Sequence, residues 1–213
     1  MTPHRVLFIS GIDTDAGKTY ATAWLAQQIA AEGRSVITQK FIQTGCTEQS
    51  EDIEAHRRLC GMELQPVDLD RTTAPIIFSY PASAQLAARI DGREIDLGLV
   101  DAATERLLGL YDCVLLEGAG GLMVPVTDDV CTIDYVATRR LPVVLVTNGR
   151  LGSINHTVLS LEAIAHRGLE LAAVVYNHHF DTDPVIAADT RGYIARYLSR
   201  HFLATPLLDL PTL

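Results

Sequence analysis

An α/β fold, built on one doubly wound and mainly parallel sheet in a single domain spanning 1–213, is what this sequence predicts. Three observations carry the prediction. Short apolar runs alternate with helical patterns along the chain. Those runs carry Val, Ile and Leu on both faces, as strands do when helices cover the sheet from each side. A glycine-rich turn joins the first run to the first helix. Alternating β and α elements put ligands at the carboxyl ends of the strands.

Each element has its own signal. Residues 6–10 read as the first strand, and 18–32 as a helix with Trp24, Leu25 and Ile29 on one face. A second strand covers 35–39, followed by a helix around 50–59. The stretch 61–98 is the least regular and reads as an excursion beside the active face. A helix around 97–110 leads into a third strand, 113–117, and a helix around 132–140 into a fourth, 143–147. Helix 153–167 shows Ile154, Val158, Leu161 and Ala165 at spacings of four, three and four, with Gly168 as its stop. A fifth strand at 171–176, a helix over 184–202 and a short apolar tail complete the chain.

Composition narrows the class. A chain of 213 residues suits one domain that buries about 70% of its unfolded surface. No apolar run approaches the ~18 residues of a membrane span, and the first strand starts too early to leave room for a leader peptide. A net charge of −9 without blocks of like charge argues against nucleic-acid binding. Cys46, Cys60, Cys113 and Cys131 show no metal-type pairing and read as reduced thiols of a cytoplasmic protein.

The turn that names a chemistry is Gly11-Ile12-Asp13-Thr14-Asp15-Ala16-Gly17-Lys18-Thr19. Placed between a strand and a helix, its backbone N–H groups converge on an anion. Lys18 then reaches the outer phosphates of a nucleoside triphosphate, and the Thr19 hydroxyl can ligate Mg²⁺. Five residues, not the usual four, separate Gly11 from Gly17. Asp13 and Asp15 therefore sit near the triphosphate, where carboxylates repel unless a cation lies between them.

Other strand ends carry compatible groups. Lys40 follows the second strand and can neutralise a migrating phosphoryl group, with Thr44-Gly45 in the next turn. Glu117-Gly118-Ala119-Gly120-Gly121 follows the third and resembles the second acidic element of P-loop enzymes, which holds Mg²⁺ directly or through water. Asn148 to His156 follows the fourth strand and leads into the long helix, whose free N–H groups offer a second anion site suited to a substrate carboxylate. Asn177 after the fifth strand can hydrogen-bond a purine edge. The neighbouring His178-His179 pair lacks a third ligand at metal-site spacing.

Taken in order, these motifs resemble the dethiobiotin synthetase family along most of the chain: the Gly-x-Asp-Thr-x-x-Gly-Lys-Thr loop at 11–19, Lys40 with Thr44-Gly45, Asp52 opening a helix, Glu117–Gly121 followed by Pro125, Leu151-Gly152-Ser153-Ile154-Asn155-His156, and Asn177. The resemblance implies an ATP-dependent ring closure in biotin synthesis, with 7,8-diaminopelargonic acid, CO₂ and MgATP as reactants. It implies Lys18, Lys40 and Thr14 as catalytic groups, and Thr19, Asp52 and Glu117 around Mg²⁺. ATP would meet Asp15, Ala16, Gly17, Lys18, Thr19, Tyr20, Asp52, Glu117, Gly118, Ala119, Gly120, Asn177, His178 and Pro211. The diamine would meet Asp13, Thr14 and Thr44. Its remote carboxylate would meet Gly152, Ser153, Ile154 and Asn155 of a partner subunit, so the resemblance implies a homodimer.

The chain also departs from the family pattern. Phe41 stands where proline is usual, Ser83-Ala84-Gln85 where the family has Ser-Pro-His, and Arg150 where many members have lysine. The tail ends soon after Pro211, short of the segment that covers adenine in longer members, which leaves GTP or CTP open as donors. Two rivals share the P-loop class. A cobyrinic acid amide-forming enzyme needs a glutaminase domain that 213 residues cannot hold. A partition or septum-placing ATPase carries a lysine early in the phosphate loop, where this chain has Asp13.

Overall fold

The structure, a computed structural model, describes residues 4–212; Leu213, the end of the apolar tail, lies outside them. Six strands form one sheet: β1 (Val6–Gly11), β2 (Val36–Lys40), β5 (Cys113–Gly121), β6 (Val143–Asn148), β7 (Leu171–Asn177) and β8 (Leu207–Leu210), in the order β2-β5-β1-β6-β7-β8. Every pairing in it is parallel. The doubly wound parallel sheet read from the sequence is therefore present.

The winding is visible in which residues meet. Leu7 and Ile9 of β1, and Val144 and Val146 of β6, pack on Ala21, Leu25 and Ile29 of helix α1 (Lys18–Ala31). Phe8, Val143 and Leu145 feed the opposite core. That second core is closed by α5 (Leu97–Leu108), α6 (Thr132–Thr138), α7 (Ser153–His166) and α8 (Pro184–His201). Alternate residues of one strand thus serve two cores, which is why these strands read as continuous apolar runs.

Four corrections to the sequence reading have local causes. The tail is not a loose end: Leu207–Leu210 pairs in register with Val174–Asn177. The excursion is more regular than expected, holding α3 (Pro66–Leu69), β4 (Ile77–Phe78) and α4 (Ala84–Ile90); β4 pairs with β3 (Gln43–Thr44) in a small parallel sheet of its own. Helix α6 stops at Thr138 because Arg140 turns left-handed at φ 51°. The buried stripe of α7 is Ser153, Thr157, Leu161 and Ile164. Of the four positions predicted to pack, only Leu161 is fully buried, and Leu159 on the outer side is 61% exposed.

Among the described residues, no helix is long and apolar enough to cross a membrane.

Candidate active site

The strand-to-helix turn is held by backbone geometry before any side chain acts. Gly11 cannot be enlarged, since a Cβ there would lie 2.8 Å from the Asp13 carbonyl. Asp15 adopts φ 56° and Gly17 φ 92°, so two residues near the helix entry lie in the left-handed region that only glycine occupies at little cost. The Asp13 carboxylate accepts the Thr14 N–H at 2.7 Å, and the Asp13 carbonyl accepts the Lys18 ammonium at 3.1 Å. Burial lowers the Lys18 pKa, opposed by the nearby Glu117 carboxylate.

A cavity of about 800 Å³ opens at the carboxyl ends of the strands. Gly17, Lys18, Thr19 and the half-exposed Tyr20 form one side of it. Lys40 and Glu117 lie at its floor, Asp52 beside them, and Ala119 and Gly120 on the wall above. Gln43 and Thr44 of β3 and Pro81–Ala84 also line it. The excursion therefore flanks the cavity, as its sequence position suggested. His179, Phe180, Leu210 and Pro211 complete the lining.

The floor is a network of buried charge. Glu117 has no exposed side-chain surface, and its Oε1 accepts from Lys40 Nζ at 2.8 Å. Lys40 Nζ also donates to the Gly118 carbonyl at 3.2 Å and pairs with Asp52. Thr22 Oγ1 donates to Glu117 Oε2 at 2.7 Å, and His56 Nε2 lies 2.8 Å from the same oxygen. Desolvation pushes the Glu117 pKa up, but Lys40 and His56 outweigh it and hold the carboxyl well below the usual range. Desolvation pulls Lys40 down, and Glu117 and Asp52 override it upward. Both groups are charged at neutral pH.

Helix α2 (Glu51–Leu59) delivers Asp52 and His56. It starts where Ser50 Oγ caps the Ile53 N–H at 3.2 Å, and the same hydroxyl donates to Gln43 at 2.5 Å. Its outer end is tied down by Arg57, which reaches both oxygens of Asp68 at 2.9 and 2.8 Å and the Thr38 hydroxyl at 2.8 Å. His56 and Arg57 were missed in the sequence; the available signal was His56 standing four residues after Asp52, hence on the same helical face.

Thr19 Oγ1 lies 3.0 Å from Asp52 Oδ1 and 3.5 Å from Glu117 Oε1. Three hard oxygen donors thus meet at the first turn of α1, a set that fits Mg²⁺.

Not every predicted residue reaches the cavity. His178 turns away, with Nδ1 2.7 Å from Asp181 and Nε2 2.8 Å from Asp209; its neighbours His179 and Phe180 line the cavity instead. Gly118 is buried against the Phe8 ring, where a Cβ would come within 3.0 Å, and it offers the floor only its carbonyl. Ala16 is buried and likewise contributes a carbonyl, which accepts Asn177 Nδ2 at 3.3 Å. Asn177 does line the cavity, and its Oδ1 accepts the His179 N–H at 3.0 Å, so its amide straps the phosphate loop to the end of β7. Asp13 is exposed outside the lining, its carboxylate 3.9 Å from His156. Gly152, Ser153, Ile154 and Asn155 do not line this chain's cavity; the Ser153 hydroxyl donates to Asn148 at 2.6 Å. Phe41 fills the core between Phe8 and Tyr135, with ring centroids 5.8 and 4.7 Å away.

Fold and site together define a P-loop nucleotide-handling domain, and the chain matches the AAA domain family over residues 5–208. Its fold is shared with a ParA family ATPase from Chlorobium tepidum TLS, at TM-score 0.53 and 16% identity over 96% of this chain and 84% of that one. Sequence relatives are far closer. The ATP-dependent dethiobiotin synthetase BioD of Chlorobaculum tepidum (strain TLS) is 53% identical, covering 98% of this chain and 87% of that protein. The ATP-dependent dethiobiotin synthetase BioD 2 of Pasteurella multocida (strain Pm70) is 47% identical over 92% of each. The chain belongs to the ATP-dependent dethiobiotin synthetase family.

Proposed function

We propose that this protein closes the ureido ring of dethiobiotin from 7,8-diaminopelargonic acid, CO₂ and ATP. One observation carries the reading beyond family membership: Lys18, Lys40 and Thr44 line one cavity. Two cations suit a reaction in which two anions, a carbamate and a γ-phosphate, must approach each other. One amine adds to CO₂ and loses a proton to give the carbamate. A carbamate oxygen attacks the γ-phosphorus and expels ADP. The second amine attacks the carbonyl of the mixed anhydride, and phosphate leaves as the ring closes.

Lys18 and Lys40 offset charge through these steps, and Thr14 and Thr44, which line the cavity, orient the diamine. Holding carbamate and phosphate in line supplies much of the rate, since effective molarities reach ~10⁵ M or more. Thr19, Asp52 and Glu117 would hold Mg²⁺, which when bound neutralises phosphate charge. Gly17 to Tyr20, Ala119, Gly120 and Pro211 would embrace the nucleotide, with Asn177 keeping its loop closed.

The remote carboxylate is assigned to Gly152–Asn155 of a partner subunit in a homodimer. Leu151, 88% exposed, and Leu159 leave an apolar surface at this end of α7 for that partner. The free cysteines agree with a cytoplasmic location. The partition-ATPase reading rests on fold likeness alone.

The test is phosphate release from ATP, Mg²⁺ and bicarbonate, with and without the diamine. Release that needs both bicarbonate and diamine supports the synthetase; steady release indifferent to the diamine refutes it.

A further inference from the structure

His56 belongs to none of the sequence motifs. It is fully buried, and its Nδ1 is the one buried side-chain polar atom without a partner among the described residues. Where packing alone mattered, Leu or Met would fill the space without stranding a ring nitrogen. The other ring nitrogen, Nε2, lies 2.8 Å from Oε2 of the buried Glu117 carboxylate.

Glu117 shows what that nitrogen does. Its two oxygens are divided between two sides. Oε2 is gripped from behind by His56 Nε2 at 2.8 Å and Thr22 Oγ1 at 2.7 Å. Oε1 faces forward, 2.8 Å from Lys40 Nζ and 3.5 Å from Thr19 Oγ1. The terminal torsion of a glutamate is soft. Without the rear contacts the carboxylate is free to rotate and offer both oxygens to Lys40.

We infer that His56 is a positioning residue: it pins Glu117 so that one carboxylate oxygen addresses Thr19, where the metal ion of the nucleotide complex would be held. The inference rests on the Mg²⁺-nucleotide reading above. Because Asp52 and His56 share one face of α2, the helix aims both carboxylates at once, Asp52 directly and Glu117 through the imidazole.

The test measures Mn²⁺ binding in the presence of ADP by electron paramagnetic resonance, with kcat and KM alongside, for wild type, His56→Met and His56→Gln. His56→Met is expected to weaken Mn²⁺ binding roughly 10- to 100-fold, as for other groups behind a metal ligand. It should lower kcat while the diamine KM stays within about twofold, and His56→Gln, which keeps a donor, should recover most of both. Mn²⁺ affinity within about twofold of wild type in His56→Met overturns the inference. If that variant fails to fold by circular dichroism, His56→Asn, whose shorter amide does not reach Oε2, decides by the same criteria. Wild type that binds no Mn²⁺ with ADP overturns the metal reading and this inference together; intact wild-type binding with indifferent variants overturns this inference alone.

Discussion

Replacing Gly17 by alanine should damage the phosphate loop through one side chain that enters it from a distant strand. Gly17 has φ 92° and ψ 29°, and a Cβ there would fall 2.0 Å from Asn177 Nδ2. Holding alanine in the left-handed region costs about 1–2 kcal/mol. The Asn177 amide must also move, surrendering its bonds to the Ala16 carbonyl and the His179 N–H, at about 1 kcal/mol each. The sum is about 3–4 kcal/mol, against roughly 5–15 kcal/mol for a whole domain. The variant should fold with greatly weakened nucleotide binding.

The clash can be isolated from the backbone cost. Asn177→Ala alone should cost about 2 kcal/mol, and the double variant no more than Gly17→Ala alone, because the bonds are lost once. Urea unfolding of all four proteins should therefore give a coupling of about −2 kcal/mol. Additivity within about 0.5 kcal/mol would refute the account.

Further outcomes follow from other contacts. Arg57→Met strands the buried Asp68 carboxylate and should cost about 3–5 kcal/mol, roughly 6–20 °C in melting temperature for a domain this size; a calorimetric drop under about 2 °C contradicts it. Thr44→Ala should raise the diamine KM more than the ATP KM, and an unchanged diamine KM removes Thr44 from the acceptor side. For His178, desolvation lowers the pKa, but the hydrogen bonds to Asp181 and Asp209 outweigh it and the net shift is upward. Its contribution to stability is thus full below the unfolded value of about 6.5 and lost as pH rises through the higher folded value. Tyr176 and Arg191 surround the same carboxylates. Denaturant curves from pH 6 to 9 should show this loss in wild type and not in His178→Gln; parallel profiles would contradict it.

The parallel sheet was legible because its strands are apolar on both faces and its helices carry clear stops, such as Gly168. The small sheet was not, since Gln43–Thr44 and Ile77–Phe78 are two-residue strands that exist only through each other. Leu207–Leu210 escaped notice because a four-residue strand at a sheet edge has no periodicity to show. Within the site, residues from Gly17 to Thr19 with Lys40 and Glu117 were readable as groups that terminate strands or open helices. His56 was not, because its meaning lies in a carboxylate 61 positions away. His178 misled through adjacency: of two neighbouring histidines, backbone geometry sends one to the cavity and the other to two aspartates.

The two-stranded sheet has a consequence for how such an enzyme can change. Its walls have separate origins: the phosphate loop, Glu117 and Asn177 grow from the large sheet, whereas Thr44 and the Pro81–Ala84 turn hang on the β3–β4 pair. Ile76, Phe78, Ala84, Ala87 and Ala88 anchor this segment in the main core, so the positions free to vary without disturbing that framework are the exposed ones, such as Tyr80, Pro81 and Ser83. The departure at Ser83-Ala84-Gln85 falls in this segment, with Ala84 buried in the core and Gln85 bonded to Asp128. Reshaping the cavity from this side is therefore a matter of a few exposed positions and not of the fold.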